Sequence, residues 1–448
     1  METVILAIGV AVFASHFLAL LFRRTGVPDV LILLLAGLVI GPLLGWVAPD
    51  DLGRVGPVIA TIALVVILFE SGTSLQPGAL RNAMGTMLLL SIGGFLLTGA
   101  VVATAGVYLL SLPVLPALML GVILAGTSSA VVIPLVETLQ MAEKPGTVLV
   151  LESTLTDVLC IVGLVALLQA YGQGGTLQPV PLAFGVITAL LFAALIGVIA
   201  GVAWLLILGR VRGFPSALST TLAWAFLAYG ASELLGFSGP IAAMALGITL
   251  TSFDSGWFGR FESLQRRVHA LSEADLAFYR EAVFLLKTYF FIYLGISIQF
   301  GGTDLLFLAG LMMAAILALR LVLTRLLYRK PNYSLRDTAL TSMLAPKGLA
   351  AAVLAGLPLQ QGVEGGELIR DVTYMVVLVS IILCAGLVMC WRLRSLRAVY
   401  AGLLGKPDAL PTSSADVKPL DGPAAAAKPV ADAGEVAEKE GFEPSVRG

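Results

Sequence analysis

The chain is a succession of apolar runs, each about as long as a bilayer is thick, separated by short charged loops. Of its 448 residues, 58% are apolar and 12% are charged, and the mean hydropathy is +0.98. Soluble domains carry about 25% charged residues, whereas a helix that crosses the hydrocarbon core needs about 20 apolar residues. The pattern therefore predicts an all-α polytopic membrane protein.

Other classes of protein find little support in the sequence. The net charge is −1, which offers no basic surface for nucleic acid. The three cysteines (Cys160, Cys384 and Cys390) lie in apolar runs without metal or redox spacing, and we expect buried, inert thiols. No dinucleotide-binding glycine motif follows the last apolar run. We therefore expect no soluble regulatory nucleotide-binding domain. We also predict neither an enzyme nor a resident cofactor.

Thirteen candidate membrane spans follow from the apolar runs. They lie near residues 3–22, 30–47, 58–74, 84–110, 115–139, 147–170, 182–208, 216–235, 238–253, 283–301, 304–326, 335–358 and 372–394. With the N-terminus outside, sixteen basic residues fall in the inside loops and two, Arg54 and Arg370, in the outside loops. Because Lys and Arg concentrate in cytoplasmic loops, we predict an outside N-terminus and a cytoplasmic C-terminus in the inner (plasma) membrane.

Two segments are predicted to lie outside the membrane domain, which we place at residues 1–398. Residues 254–282 mix charged with large apolar side chains and predict an amphipathic helix on the cytoplasmic surface. Residues 404–448 are rich in Ala, Pro, Lys and Glu. Such a segment has too little apolar surface to form a core, so we predict a disordered cytoplasmic tail.

Spans five and twelve each contain a helix-weakening cluster near the middle. The first, LAGTSSAVVIPL at 124–135, contains Gly126 followed by three hydroxyl residues, and the second, LAPKGLAAAVLAG at 344–356, contains Pro346, Lys347 and Gly348. Matching interruptions in two halves of a transporter predict inverted repeats with two crossed, interrupted helices around a site at the bilayer midplane. The alternative is a simple hydroxyl-induced kink in one helix and a proline kink in the other.

Span six carries two acidic residues, Glu152 and Asp157, inside the apolar run 148–168. A charge at the centre of a membrane helix costs about 2.5–3.5 kcal/mol on insertion scales. Asp157 is near the midplane, and Glu152 lies about 7.5 Å closer to the cytoplasm, at the depth of Arg320 in span eleven. We predict that Glu152 and Arg320 form a structural ion pair, which leaves Asp157 free. The alternative for Arg320 is that its side chain reaches the cytoplasmic interface.

An unpaired carboxylate in a cavity becomes neutral by taking up either a proton or a monovalent cation, and burial favours the neutral forms. If only the discharged site crosses the membrane, the two ions exchange one for one. We expect the side chains of Asp157, Ser153, Thr127 and Ser128 to bind the ion, because alkali cations prefer oxygen ligands. Lys347 either offsets the helix ends that meet at the second interruption or competes with the cation.

Several ordered stretches resemble the monovalent cation:proton antiporter superfamily, most closely its sodium/proton exchanger branch. ESTLTD at 152–157 resembles the ES-x-x-ND signature of the ion-binding helix, and LFESGTSLQPGALR at 68–81 resembles LFE-G-LEL-x-x-x-x-LR. FFIYLGISI at 290–298 is similar to FF-x-x-x-G-L-x-I, and APKGLAAAVLA at 345–355 resembles the L-R-G-A segment. The similarity covers roughly residues 1–395.

The resemblance implies a homodimer in which a mobile core domain moves against a dimerisation domain. It also implies that Asp157 binds the transported ion and that Glu152 and Arg320 pair structurally. Two positions depart from the family pattern: Thr156 replaces an Asn or Asp, and Ser128 replaces an acidic residue. Thr156 is included among the predicted ion-binding residues, and its neutral side chain favours electroneutral exchange.

We therefore predict secondary active antiport of a monovalent cation against H⁺, in the service of pH homeostasis. Na⁺ is the leading cation, with K⁺ and Li⁺ as alternatives. The alternative function is a sodium-coupled organic-anion transporter of related fold, in which Lys347 would attract the anion although Asp157 would repel it. A channel is disfavoured because the sequence contains no filter motif.

Overall fold

The computed structural model describes residues 9, 13, 17, 29–49, 55–74, 85–172, 179–210, 217–252, 273–298, 303–329, 333–391 and 393–405. Every regular element within these ranges is helical. We number the helices as follows: α1 (Asp29–Leu38), α2 (Val55–Ser74), α3 (Gly94–Leu109), α4 (Val114–Ala125), α5 (Ser129–Thr138), α6 (Glu143–Gly172), α7 (Pro179–Arg210), α8 (Ala217–Leu234), α9 (Gly239–Ser252), α10 (Glu273–Ser297), α11 (Thr303–Leu327), α12 (Leu335–Met343), α13 (Leu349–Gln360), α14 (Gly366–Cys390) and α15 (Arg394–Leu404).

The helices follow the hydropathy pattern closely. Twelve of the thirteen predicted spans coincide with described helices, while span one falls largely outside the described residues. Among the described residues, six helices are long and apolar enough to cross a membrane, and four shorter apolar helices accompany them. The count of thirteen spans therefore stays a prediction.

Helices α2 and α9 pack unusually closely because glycines line their contact. A Cβ on Gly72 would lie 2.3 Å from the carbonyl oxygen of Met244, and a Cβ on Gly247 would lie 2.3 Å from that of Phe69. Any side chain at either position would collide with backbone. The two helices are therefore held at a backbone-to-backbone distance that only glycine permits.

Helix α6, which carries both predicted membrane acids, lies at the centre of a second group of helices. It packs against α4, α5 and α13, and α14 packs against both α13 and α11. The side chains of α6 are mostly buried along its central turns, including Glu152 and Asp157. Its acids are thus surrounded by the helices on either side of the two sequence interruptions.

The predicted cytoplasmic segment 254–282 lies partly outside the described residues. Its last part, from Glu273, is helical and continuous with the following span, so that α10 starts ten residues before residue 283, where we predicted the span to begin. The sequence from Glu273 to that point contains neither Gly nor Pro, so nothing interrupts the helix.

Helix α15 continues past residue 398, where we place the end of the membrane domain, and that boundary stays a prediction. Its C-terminal carbonyls are approached by Arg325, whose Nη1 donates to Leu403 O at 2.7 Å, and Trp391 packs edge-on against Tyr400. A cation at a helix C-terminus is favourable. Residues 406–448, and with them nearly all of the predicted tail, lie outside the described residues.

The cysteine prediction was right for two thiols and wrong for the third. Cys160 and Cys384 are buried, whereas Cys390 is exposed. Cys390 is the last residue of α14, where the helix leaves the packed part of the molecule. The apolar run around it extends farther than the buried part of the helix.

Candidate functional site

The first interruption separates α4 from α5. Helix α4 ends at Ala125, Gly126 has extended backbone angles (φ −73°, ψ 159°), and α5 begins at Ser129. A Cβ on Gly126 would lie 2.6 Å from the Sγ of Cys160 in α6. The missing side chain therefore lets the extended segment lie directly against α6.

The second interruption, residues 344–348, separates α12 from α13 and contacts the first. The backbone N–H of Ser128 donates to Pro346 O at 2.8 Å. The ammonium group of Lys347 donates to Gly126 O at 2.8 Å. Each interruption thus satisfies a backbone group that the other has freed, as buried backbone requires.

Asp157 lies in α6 beside the start of α5 and is 5% exposed. Its Oδ2 accepts a hydrogen bond of 2.7 Å from the Ser129 hydroxyl. The backbone amide of Ser129 also hydrogen-bonds the carboxylate. Because Ser129 is the first residue of α5, the carboxylate lies at the positive end of that half-helix.

Ser129 is the residue that the sequence-based site omitted. We predicted Thr127 and Ser128 as ligands from the same cluster, but the hydroxyl that contacts Asp157 belongs to the next residue. Its position at the start of a helix was the available signal, since Ser is a preferred residue at helix N-termini. The N–H of Ser128 faces Pro346 instead.

Thr127 joins the first interruption to α6. Its N–H donates to Thr156 Oγ1 at 3.1 Å, and its own hydroxyl donates to Glu152 Oε1 at 2.9 Å. The Thr156 hydroxyl donates to Ser153 O at 3.1 Å, and the Ser153 hydroxyl donates to Val150 O at 2.9 Å. The hydroxyls of Thr156 and Ser153 are thus directed toward carbonyls of their own helix in this conformation.

Glu152 and Arg320 form a bidentate ion pair between α6 and α11. Arg320 Nη1 and Nη2 donate to the two carboxylate oxygens at 2.8 and 2.7 Å. The side chain of Arg320 is 9% exposed and that of Glu152 is 3% exposed. Arg320 Nε also donates to Thr341 O at 2.8 Å, near the end of α12. One guanidinium group therefore links three helices. The structural role of the pair stays a prediction.

Lys347 is 2% exposed and lies between the two interruptions. Besides the contact of its ammonium group with Gly126, its backbone N–H donates to Ser380 Oγ in α14 at 2.9 Å. Lys347, Glu152 and Arg320 also line a cavity of about 10 Å³. That volume is close to the minimum for one ordered water molecule.

Comparison with known proteins gives the fold and the family. A family model described as "Sodium/hydrogen exchanger, transmembrane" matches residues 10–391. The solved structure of the sodium proton antiporter MjNhaP1 from Methanocaldococcus jannaschii at pH 8 aligns with a TM-score of 0.71 and 21% identity, over 91% of this chain and 100% of that one. That likeness shows a shared all-helical fold.

Two curated relatives are similar over most of this chain. The K(+)/H(+) antiporter NhaP2 of Shewanella sp. (strain MR-4) is 25% identical over 82% of this chain, which spans 62% of that protein's length. The Na(+)/H(+)-K(+) antiporter GerN of Bacillus cereus is 23% identical over 80% of this chain and 89% of its own. Given the family match over most of its length, this chain belongs to the transmembrane sodium/hydrogen exchanger family and is a multi-pass membrane protein.

Proposed function

We propose that this protein is a secondary active antiporter that exchanges a monovalent cation for H⁺ at Asp157. The observation that supports this most strongly is the separation of the buried charges. The carboxylate of Asp157 contacts Ser129, whereas the two nearby buried cations contact other groups: Arg320 binds Glu152 and Lys347 binds Gly126 O. A proton or an alkali cation is then needed to discharge Asp157.

The two ions compete because they neutralise the same carboxylate. The Ser129 hydroxyl is a hard oxygen ligand of the kind that alkali cations prefer. Arg320 and Glu152 neutralise each other, which leaves the charge of Asp157 to be balanced by the bound ion. Because a proton and a monovalent cation each carry one positive charge, the proton-loaded and cation-loaded sites have the same net charge. This equality supports electroneutral exchange of one cation for one proton.

Na⁺ is the cation we propose, with K⁺ and Li⁺ as alternatives. The resemblance to the sodium/proton exchanger branch supports Na⁺, and the family description names sodium. The names of the two curated relatives both include K⁺, and that of GerN also includes Na⁺. At both positions that depart from the family pattern, Thr156 and Ser128, a hydroxyl stands where the family has a stronger oxygen ligand. The bound ion therefore has fewer strong ligands.

The architecture we propose has thirteen spans, with inverted repeats that cross at their interrupted helices. The contacts between the two interruptions support such a crossing. We further propose a homodimer in the inner (plasma) membrane, with the N-terminus outside and the C-terminus in the cytoplasm. The excess of basic residues in the predicted inside loops supports this orientation.

A sodium-coupled organic-anion transporter would need an uncompensated cation at the substrate site. Lys347 is the candidate, but its ammonium group donates to Gly126 O and the residue is 2% exposed. A buried and hydrogen-bonded ammonium group is a poor partner for an organic carboxylate. The contacts of Lys347 therefore favour antiport over anion transport.

The decisive experiment uses purified protein in liposomes that enclose a pH-sensitive dye. Pulses of Na⁺, Li⁺ or K⁺ outside should move protons with wild-type protein and with Asp371→Asn, but not with Asp157→Asn. Asp371 is a matched control because it is an acid of α14 that pairs with its neighbour Arg370. Since protons compete for the carboxylate, the half-saturating cation concentration should rise as the pH falls.

Two results would contradict the proposal. One is a luminal pH that stays constant under all three cation pulses, and the other is proton flux that persists in Asp157→Asn. Clamping the membrane potential with K⁺ and valinomycin during Na⁺ pulses tests the stoichiometry. Electroneutral exchange should be insensitive to that potential.

A further inference from the structure

The two interruptions are held in the same way, each by the second helix that follows it in the chain: α6 for the first and α14 for the second. At the first, the N–H of Thr127 donates to Thr156 Oγ1 at 3.1 Å. At the second, the N–H of Lys347 donates to Ser380 Oγ at 2.9 Å. Each accepting hydroxyl donates in turn to the carbonyl three residues earlier in its own helix, at 3.1 and 2.8 Å. With its proton committed there, each hydroxyl oxygen is left to accept the buried N–H.

The likeness extends to the next turn of both helices. Cys160 follows the first hydroxyl by four residues, and Cys384 follows the second by four. Cys160 lies against Gly126, and Cys384 lies against the backbone amide of Ala345. The second contact is displaced to Ala345 because Pro346 has no N–H to donate. The same hydroxyl-and-thiol pair thus accompanies both interruptions.

The two interruptions differ at the residue that follows the accepting hydroxyl in the sequence. In α6 this residue is Asp157, and in α14 it is Ile381. The second interruption therefore has no carboxylate at this position. Its Lys347 side chain instead donates to Gly126 O of the first interruption, at 2.8 Å. Lys347 thus contacts the backbone three residues before Ser129, whose hydroxyl donates to Asp157.

We propose that Ser380 is a positioning residue for the cation site, an inference that rests on the function proposed above. Its hydroxyl fixes the backbone of Lys347, and Lys347 in turn fixes the carbonyl of Gly126. Without that hydroxyl, a fully buried N–H loses its acceptor, and the second interruption rearranges to satisfy it. The rearrangement displaces Lys347 from Gly126 and loosens the start of α5, where Ser129 contacts Asp157.

The test compares Ser380→Ala with a matched control, Thr373→Val. Both residues are 0% exposed on α14, and the hydroxyl of Thr373 donates to Ile369 O of its own helix at 2.7 Å. The control removes the same kind of hydroxyl about 10 Å along the helix from Ser380. In liposomes, Ser380→Ala should raise the apparent KM for the cation about tenfold with a smaller change in maximal rate. Thr373→Val should leave KM unchanged.

Ser380→Thr keeps a hydroxyl acceptor, of the kind that Thr156 provides at the first interruption, and should keep the wild-type KM. If Ser380→Ala does not purify as folded protein, Ser380→Cys carries the same comparison, because it keeps the volume with a weaker acceptor. A KM and pH profile for the Ala or Cys variant equal to those of Thr373→Val would overturn the inference.

A second readout is independent of transport. Amide hydrogen exchange across residues 344–348 should become faster in Ser380→Ala and stay at the wild-type rate in Thr373→Val. A wild-type protein that exchanges none of the three cations rejects the proposed function, and hydrogen exchange then still decides whether Ser380 holds the second interruption. Unchanged exchange in Ser380→Ala would reject that role.

Discussion

The buried pair of Glu152 and Arg320 can be tested with the substitution Arg320→Met, which keeps the length of the side chain and removes its charge. The variant loses three hydrogen bonds: two to Glu152 at 2.8 and 2.7 Å and one to Thr341 O at 2.8 Å. Among the described residues, Glu152 then keeps the Thr127 hydroxyl, at 2.9 Å, as a hydrogen-bond donor. A buried carboxylate would have lost its compensating charge.

The expected cost follows from that loss. Removing one partner of a buried ion pair costs about 3–5 kcal/mol, whereas replacing both partners by neutral groups of similar volume is often neutral. We therefore expect Glu152→Gln combined with Arg320→Met to be more stable than Arg320→Met alone. The coupling free energy from the full double-mutant cycle should be about 2–4 kcal/mol.

Thermal unfolding in detergent, followed by tryptophan fluorescence, measures these differences. Arg320→Met should lower the apparent melting temperature on the order of 5–10 °C, and the double substitution should recover most of it. The preference for Na⁺ over K⁺ in liposomes should change little. An Arg320→Met protein with wild-type stability and altered ion preference would refute the structural role. A double substitution whose cost equals the sum of the two single costs would refute the coupling.

Two further predictions concern the first interruption. Ser129→Ala removes the 2.7 Å hydrogen bond to Asp157, so the half-saturating cation concentration in the dye assay should rise about three- to tenfold. An unchanged half-saturating concentration would exclude Ser129 from the site. Gly126→Ala places a Cβ 2.6 Å from Cys160 Sγ and should cost about 1–3 kcal/mol in unfolding free energy, most of which Cys160→Ala should restore. If the Cys160 substitution restores nothing, the loss has another cause.

Local properties of the chain account for what could be predicted of the fold. Helices α6 and α14 follow from apolar length alone, and the chain leaves helical geometry at Gly126 and again before Leu349, within the two clusters of helix-weakening residues. Two helices continue past the ends of the predicted spans: α10 starts before residue 283, and α15 begins at Arg394. Both lie where apolar periodicity gives way to amphipathic sequence, so hydropathy alone does not mark the end of the helix.

The candidate site was only partly accessible to such reasoning. Depth along straight helices suggested that Glu152 and Arg320 share a level, and the structure joins them directly. The same reasoning could not choose among three consecutive hydroxyl residues, because an extended segment changes side-chain direction at every residue. It is Ser129 that contacts Asp157, while Thr127 contacts Glu152.

The amino-acid sequence alone predicted a helical membrane protein with an acid near mid-bilayer and two weakened helices. Each of these properties depends on composition within about 20 residues, over which hydrophobic transfer and backbone propensity act. Only the tertiary structure decided which groups satisfy one another across the two interruptions: the ammonium group of Lys347 with Gly126, and the hydroxyl of Ser380 with the backbone of Lys347. These contacts join residues far apart in the chain, and their partners are selected by packing geometry, which no local pattern encodes.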